Sequence, residues 1–130
     1  MRLAQPHPEC TIVQEGRYLR ALVGGGQADE IQECYRTLAA LALEHRFNRA
    51  LVIGLGANDP VNHLAARDAV IALHVIGVPA GFRLAFVPHT PETLNAFRHA
   101  EIEASARGLR VKVFAEEADA VRWLTAEEIH

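Results

Sequence analysis

The chain is short of several residues that common biochemical sites depend on. Its 130 residues include one tryptophan, one methionine and two cysteines, and aromatic residues make up only 6% of it. The only lysine is Lys112 and the only serine is Ser105. With no Gly-Lys-Ser or Gly-Lys-Thr there is no P-loop, and with no Gly-x-Ser-x-Gly there is no nucleophile elbow. No run of 18 apolar residues occurs, so nothing reads as a membrane-spanning helix. The N-terminal MRLAQPHPEC carries no apolar stretch and does not read as a secretory signal. A formal charge of −3 argues against nucleic acid as a partner, because binding phosphates needs a basic face. Repeats and low-complexity tracts are absent as well.

What is present reads as one ordinary α/β domain. Half of the residues are hydrophobic and 22% are charged, enough for a core without a staple. Cys10 and Cys34 are therefore expected as reduced thiols, Cys34 buried and inert on a helix, in a cytoplasmic protein. Residues 1–9, broken by Pro6 and Pro8, read as a flexible arm, residues 10–126 as the domain, and 127–130 as a tail. CTIVQ (10–14) and RYLRALV (17–23) form a hairpin signal around Glu15-Gly16. Ile31, Tyr35, Leu38 and Ala42 make one apolar helical stripe, with His45 and Arg46 expected in its last turn. RALVIG (49–54) suits a buried strand, a helix follows over about 60–76, and FRLAFV (82–87) is the next strand. Thr90-Pro91-Glu92 starts a third helix that Gly108 stops, before LRVKVF (109–114) and a final helix. The expected order is β-β-α-β-α-β-α-β-α, with a mixed sheet of about five strands and about four helices.

The chemistry-bearing candidates gather around LVIGLGANDP (51–60). A strand running into Gly-x-Gly and a helix resembles a dinucleotide turn, but the third glycine position holds Asp59, an acid that would face a pyrophosphate. A tight turn, with Asn58 or Asp59 capping the following helix, is the expected role instead. A phosphoacceptor domain fails too, because the strand ends in Gly54 and Lys112 lies inside its own strand. His89 follows a strand and falls at the same sheet end as this loop, where open parallel sheets hold their ligands. His63 and His74 are about 16 Å apart along one helix, too far to share a metal. His7 and Cys10 lack a second pair of ligands. Neither a metal nor a cofactor is expected, and the acidic residues read as solvated helix faces. Trp123 is expected to pack the last helix onto the sheet.

The element order, the segment ARGLRVKVFAEEADAVRWL (106–124) and the RALVIG strand before its loop resemble the STAS superfamily. That family covers anti-sigma-factor antagonists and the cytoplasmic domains of sulphate transporters. The resemblance implies a regulatory, non-catalytic module acting through protein–protein contacts. In the antagonists the loop after the corresponding strand carries an Asp-Ser pair whose serine is phosphorylated. Here that loop is GLGANDP, with Asp59 near the acidic position and Pro60 in place of the serine. No serine or threonine occurs between Leu51 and His89, so the phosphorylation switch is expected to be missing. Gly54, Gly56, Asn58, Asp59 and His89 are the expected contact surface, toward a protein partner or a second copy in a homodimer. Two other readings remain open: a carrier of a small apolar ligand or lipid, and a low-activity enzyme using His89 with Asp59.

Overall fold

The computed structural model describes residues 2–7, 10–24, 28–54, 63–88 and 101–126. Six strands form one mixed sheet in which every strand lies beside its neighbour in sequence. They are β1 (Arg2–His7), β2 (Cys10–Glu15), β3 (Tyr18–Val23), β4 (Arg49–Gly54), β5 (Arg83–Val87) and β6 (Arg110–Val113). The first three are antiparallel, whereas β3 through β6 are parallel. The helices are α1 (Ala28–Glu44), α2 (His63–Ile76), α3 (residues 101–106) and α4 (Glu117–Thr125).

This is the α/β single-domain architecture that the hydrophobic pattern implies, with one strand more. The extra strand is β1, in the segment expected to be a loose arm. It lies at the sheet edge, where a proline costs no ladder bond to a second neighbour, and its pairing with β2 is irregular at two places. Leu3 and Ala4 still pack against the core. Between β2 and β3, Glu15 pairs with Tyr18 around a two-residue turn. Gly16 takes φ 59° at the first central position, the arrangement of a type II′ hairpin turn.

The two faces of the sheet carry separate apolar clusters. On one, Tyr35, Leu38 and Ala42 of α1, Val70 and Leu73 of α2 and Ala104 of α3 pack on Leu19, Ala21, Val52, Leu84 and Phe86. On the other, Ala120 and Leu124 of α4 pack on Leu51, Ile53, Ala85 and Val87. Consecutive right-handed crossovers that advance in one direction place their helices on one side, which is why α1, α2 and α3 share a face. Trp123 packs α4 onto the sheet beside Phe114, their ring centroids 5.8 Å apart, as its position in the sequence implies.

Each of α1, α2 and α3 ends the same way. A left-handed residue is followed by an apolar residue whose amide reaches back five positions: Phe47 to the Ala42 carbonyl (2.8 Å), Val78 to Leu73 (3.2 Å), Leu109 to Ala104 (2.9 Å). That geometry satisfies a terminal carbonyl and aims the chain into the next strand. Gly77 and Gly108 supply the positive φ in two cases, but at the end of α1 the residue is Arg46 at φ 60°. The dipole role expected for His45 and Arg46 gives way to this stop, since α1 closes at Glu44.

The expectation of reduced thiols is overturned. Cys10 and Cys34 form a disulfide with Cα atoms 6.1 Å apart, and both residues are fully buried. The first residue of β2 faces the second turn of α1 across the larger apolar cluster, within the span a disulfide needs. Disulfides persist where the surroundings are oxidising, so the expectation of a cytoplasmic chain loses the support that free thiols lent it. No helix among the described residues is long and apolar enough to cross a membrane.

Two stability changes follow. Replacing both cysteines by alanine removes a cross-link across 24 positions and is expected to cost about 3 kcal/mol, read from urea unfolding. Arg46→Gly relieves a left-handed arginine that is exposed, and is expected to raise stability by about 0.5–1 kcal/mol in the same assay.

Candidate functional site

The carboxyl ends of β3, β4, β5 and β6 share one edge of the sheet because these strands are parallel and in register. Val23 lies opposite Gly54, Ile53 opposite Val87, and the Phe114 amide donates to the Phe86 carbonyl at 2.8 Å. Gly54 therefore sits where the sequence places it, at the end of a central strand, and it is buried. Gly56, Asn58, Asp59 and His89 lie outside the described residues, as do the expected Asp59–His89 proximity and the start of the third helix.

The connections change sides at this edge. The helix after β4 and the helix after β5 lie on the α1 face, while the one after β6 crosses to the opposite face. Diverging connections open a crevice between the strand ends, and open sheets bind ligands at such points. Here the divergence falls between β5 and β6, next to the strand that leads to His89. The residues 114–116 lead from β6 into α4, with Ala115 exposed.

Two arginines hold α4 in place. Arg20 of β3 donates through Nε and Nη2 to the two carboxylate oxygens of Glu117, at 3.0 and 3.2 Å. A bidentate geometry of this kind is the stronger form of an ion pair, but the Glu117 side chain is 44% exposed, which moderates it. The hydrogen bond to Glu117 raises the Arg20 pKa, partly opposed by burial. Burial raises the pKa of the neighbouring Tyr18 hydroxyl, with Glu15 and Glu117 adding to the effect. Glu117, expected to be part of a solvated face, is thus the anchor for the start of α4.

Arg83 anchors the other end. It is 6% exposed, and its Nη1 donates to the carbonyls of Ala126 (2.7 Å), Trp123 (3.1 Å) and Leu124 (3.4 Å). The guanidinium also lies 5.9 Å from the Trp123 ring centroid. A cation at a helix C-terminus meets the negative end of the helix dipole and the carbonyls that have no partner within the helix. Nothing local in the sequence identifies this role, since Arg83 and Trp123 come together only through the crossing of α4.

A second concavity lies on the opposite face of the sheet, between α1 and α2. Its volume is about 560 Å³. Arg36, Thr37 and Ala40 form one wall, and Ile71, Ala72 and Val75 the other. Val75 is 75% exposed, whereas Arg36 leans toward Glu33 at 3.5 Å on the rim. The arrangement offers apolar contact with a polar edge and carries no nucleophile of its own. Among the described residues, no group of three or more His, Cys, Asp or Glu side chains could hold a metal ion.

Removing the Arg83 side chain leaves three carbonyls at the end of α4 without this charged donor. Arg83→Ala is expected to cost about 2–3 kcal/mol in denaturant unfolding and to shift Trp123 emission to the red.

Compared with protein-family models, with curated proteins and with solved structures, this chain finds no match.

Proposed function

We propose that the chain is a non-catalytic interaction module of STAS type that binds a protein partner, or a second copy of itself, through the carboxyl edge of its sheet. The observation that carries this reading is the change of side between the connections that follow β5 and β6, which opens a crevice there. Gly54 and Val87 end two of the strands at that edge, and the expected contact residues Gly56, Asn58, Asp59 and His89 continue from those strands in the sequence. The STAS resemblance adds to it, being most specific over 106–124, the stretch that runs through β6 and most of α4. With Pro60 in the serine position, the module would act by contact rather than by a phosphorylation switch.

The groove between α1 and α2 favours a second reading, a carrier of a small apolar ligand. Its exposed Val75 and its apolar α2 wall are what such a ligand would cover.

Affinity capture and sedimentation test the first reading, and native mass spectrometry tests the second. The wild-type chain is expected to retain a protein partner or sediment as a dimer, and Ala115→Arg, an exposed change at the mouth of the crevice, is expected to abolish this. A monomer that captures nothing, or an A115R chain that behaves like wild type, would sink the interaction reading. Retention of a small molecule by wild type and its loss from Val75→Arg would establish the carrier instead.

A further inference from the structure

The register of the parallel strands produces an alignment that neither reading above uses. Arg49 of β4 is the Cα partner of Arg83 of β5, and Arg83 is the partner of Arg110 of β6. Their neighbours Ala50, Leu84 and Val111 belong to the cluster under α1, α2 and α3, so the arginines rise from the α4 face. Neighbouring strands are about 4.8 Å apart, which brings three guanidinium side chains out of the sheet within a span of about 10 Å. They grade from buried to exposed: Arg83 is buried, Arg49 half-buried, and Arg110 exposed.

The end of α4 lies over this row. Ala126, whose carbonyl is 2.7 Å from Arg83 Nη1, is followed by Glu127 and Glu128. Successive Cα atoms are 3.8 Å apart, so both carboxylates are tethered within one or two residues of the row. A tether this short gives an effective concentration far above that of a free acidic peptide. The charges also match: two carboxylates and the roughly half-charge at a helix C-terminus face three guanidinium groups. Arginine is suited to the task, since its planar fork takes carboxylates in pairs of hydrogen bonds.

We propose that the Arg49–Arg83–Arg110 row is a receptor for the acidic segment Glu127-Glu128 of the same chain, an electrostatic latch that closes α4 over the second face of the sheet. The latch acts on the helix that covers Leu51, Ile53, Ala85 and Val87, so its release loosens that apolar cluster. It differs from the crevice at the other edge, because the row lies at the amino ends of the parallel strands.

The test uses the full chain with Glu127→Gln and Glu128→Gln together, Arg110→Gln alone, and all three combined. Arg110 is chosen because its exposure lets the variant fold. Melting temperature and Trp123 quenching by acrylamide are read at low salt and in 1 M salt. The E127Q/E128Q chain is expected to melt about 3 °C or more below wild type at low salt and to expose Trp123 to the quencher. The difference should shrink in 1 M salt, where screening acts within about 3 Å. The combined variant should lose less than the sum of the two separate losses. Glu33→Gln, which removes an exposed ion pair on α1, is the control and should leave Trp123 quenching unchanged. Additive losses, or an E127Q/E128Q chain indistinguishable from wild type at low salt, would overturn the latch.

Discussion

The burial of β4 and β5 from both sides is the constraint that the rest of the structure serves. Every residue from Ala50 to Gly54 and from Arg83 to Val87 is buried, so neither face of this pair can be left to water. Three helices cover one face as a direct result of the crossover rule. The other face depends on α4 alone among the described residues, and a nine-residue helix brings little helical stability of its own. It stays down because apolar contact from Ala120, Trp123 and Leu124 is reinforced at both ends by arginines from the sheet. The interior of the sheet thus determines where charge has to go.

Much of this architecture can be read in the sequence because the signals are local. RALVIG and FRLAFV are uninterrupted apolar runs, and only strands buried on both faces need them. The stripe of Tyr35, Leu38 and Ala42 marks the buried side of α1, and Gly77 and Gly108 mark helix ends. What stays hidden depends on contacts between distant residues. Strand β1 carries a proline that argues against a strand, and only its position at the sheet edge makes it acceptable. Arg46 fills a conformation normally given to glycine, so its sequence neighbourhood does not announce the stop. The disulfide, the Arg20–Glu117 pair and the Arg83 cap join residues whose separation hides them until register is known.

The candidate surface was legible in the same uneven way. Strand order alone places Gly54 at the carboxyl edge, and parallel pairing confirms that position. The change of side after β6 could not be read, because it depends on the face to which α4 returns. Once that face is known, the emphasis moves from the glycines after β4 toward the divergence between β5 and β6. The two apolar clusters also separate two kinds of surface: a crevice at one edge, shaped by backbone connections, and a groove on the opposite face, shaped by helix side chains.

The Cys10–Cys34 bond closes a covalent ring that contains β2, β3 and the first two turns of α1. A break in the backbone anywhere inside that ring leaves the two pieces in one molecule, still positioned for the hairpin to pair and the helix to pack. The ring also shortens the path between the antiparallel and parallel halves of the sheet. An unfolding chain therefore keeps the corner where they meet, and refolding starts with that corner already closed.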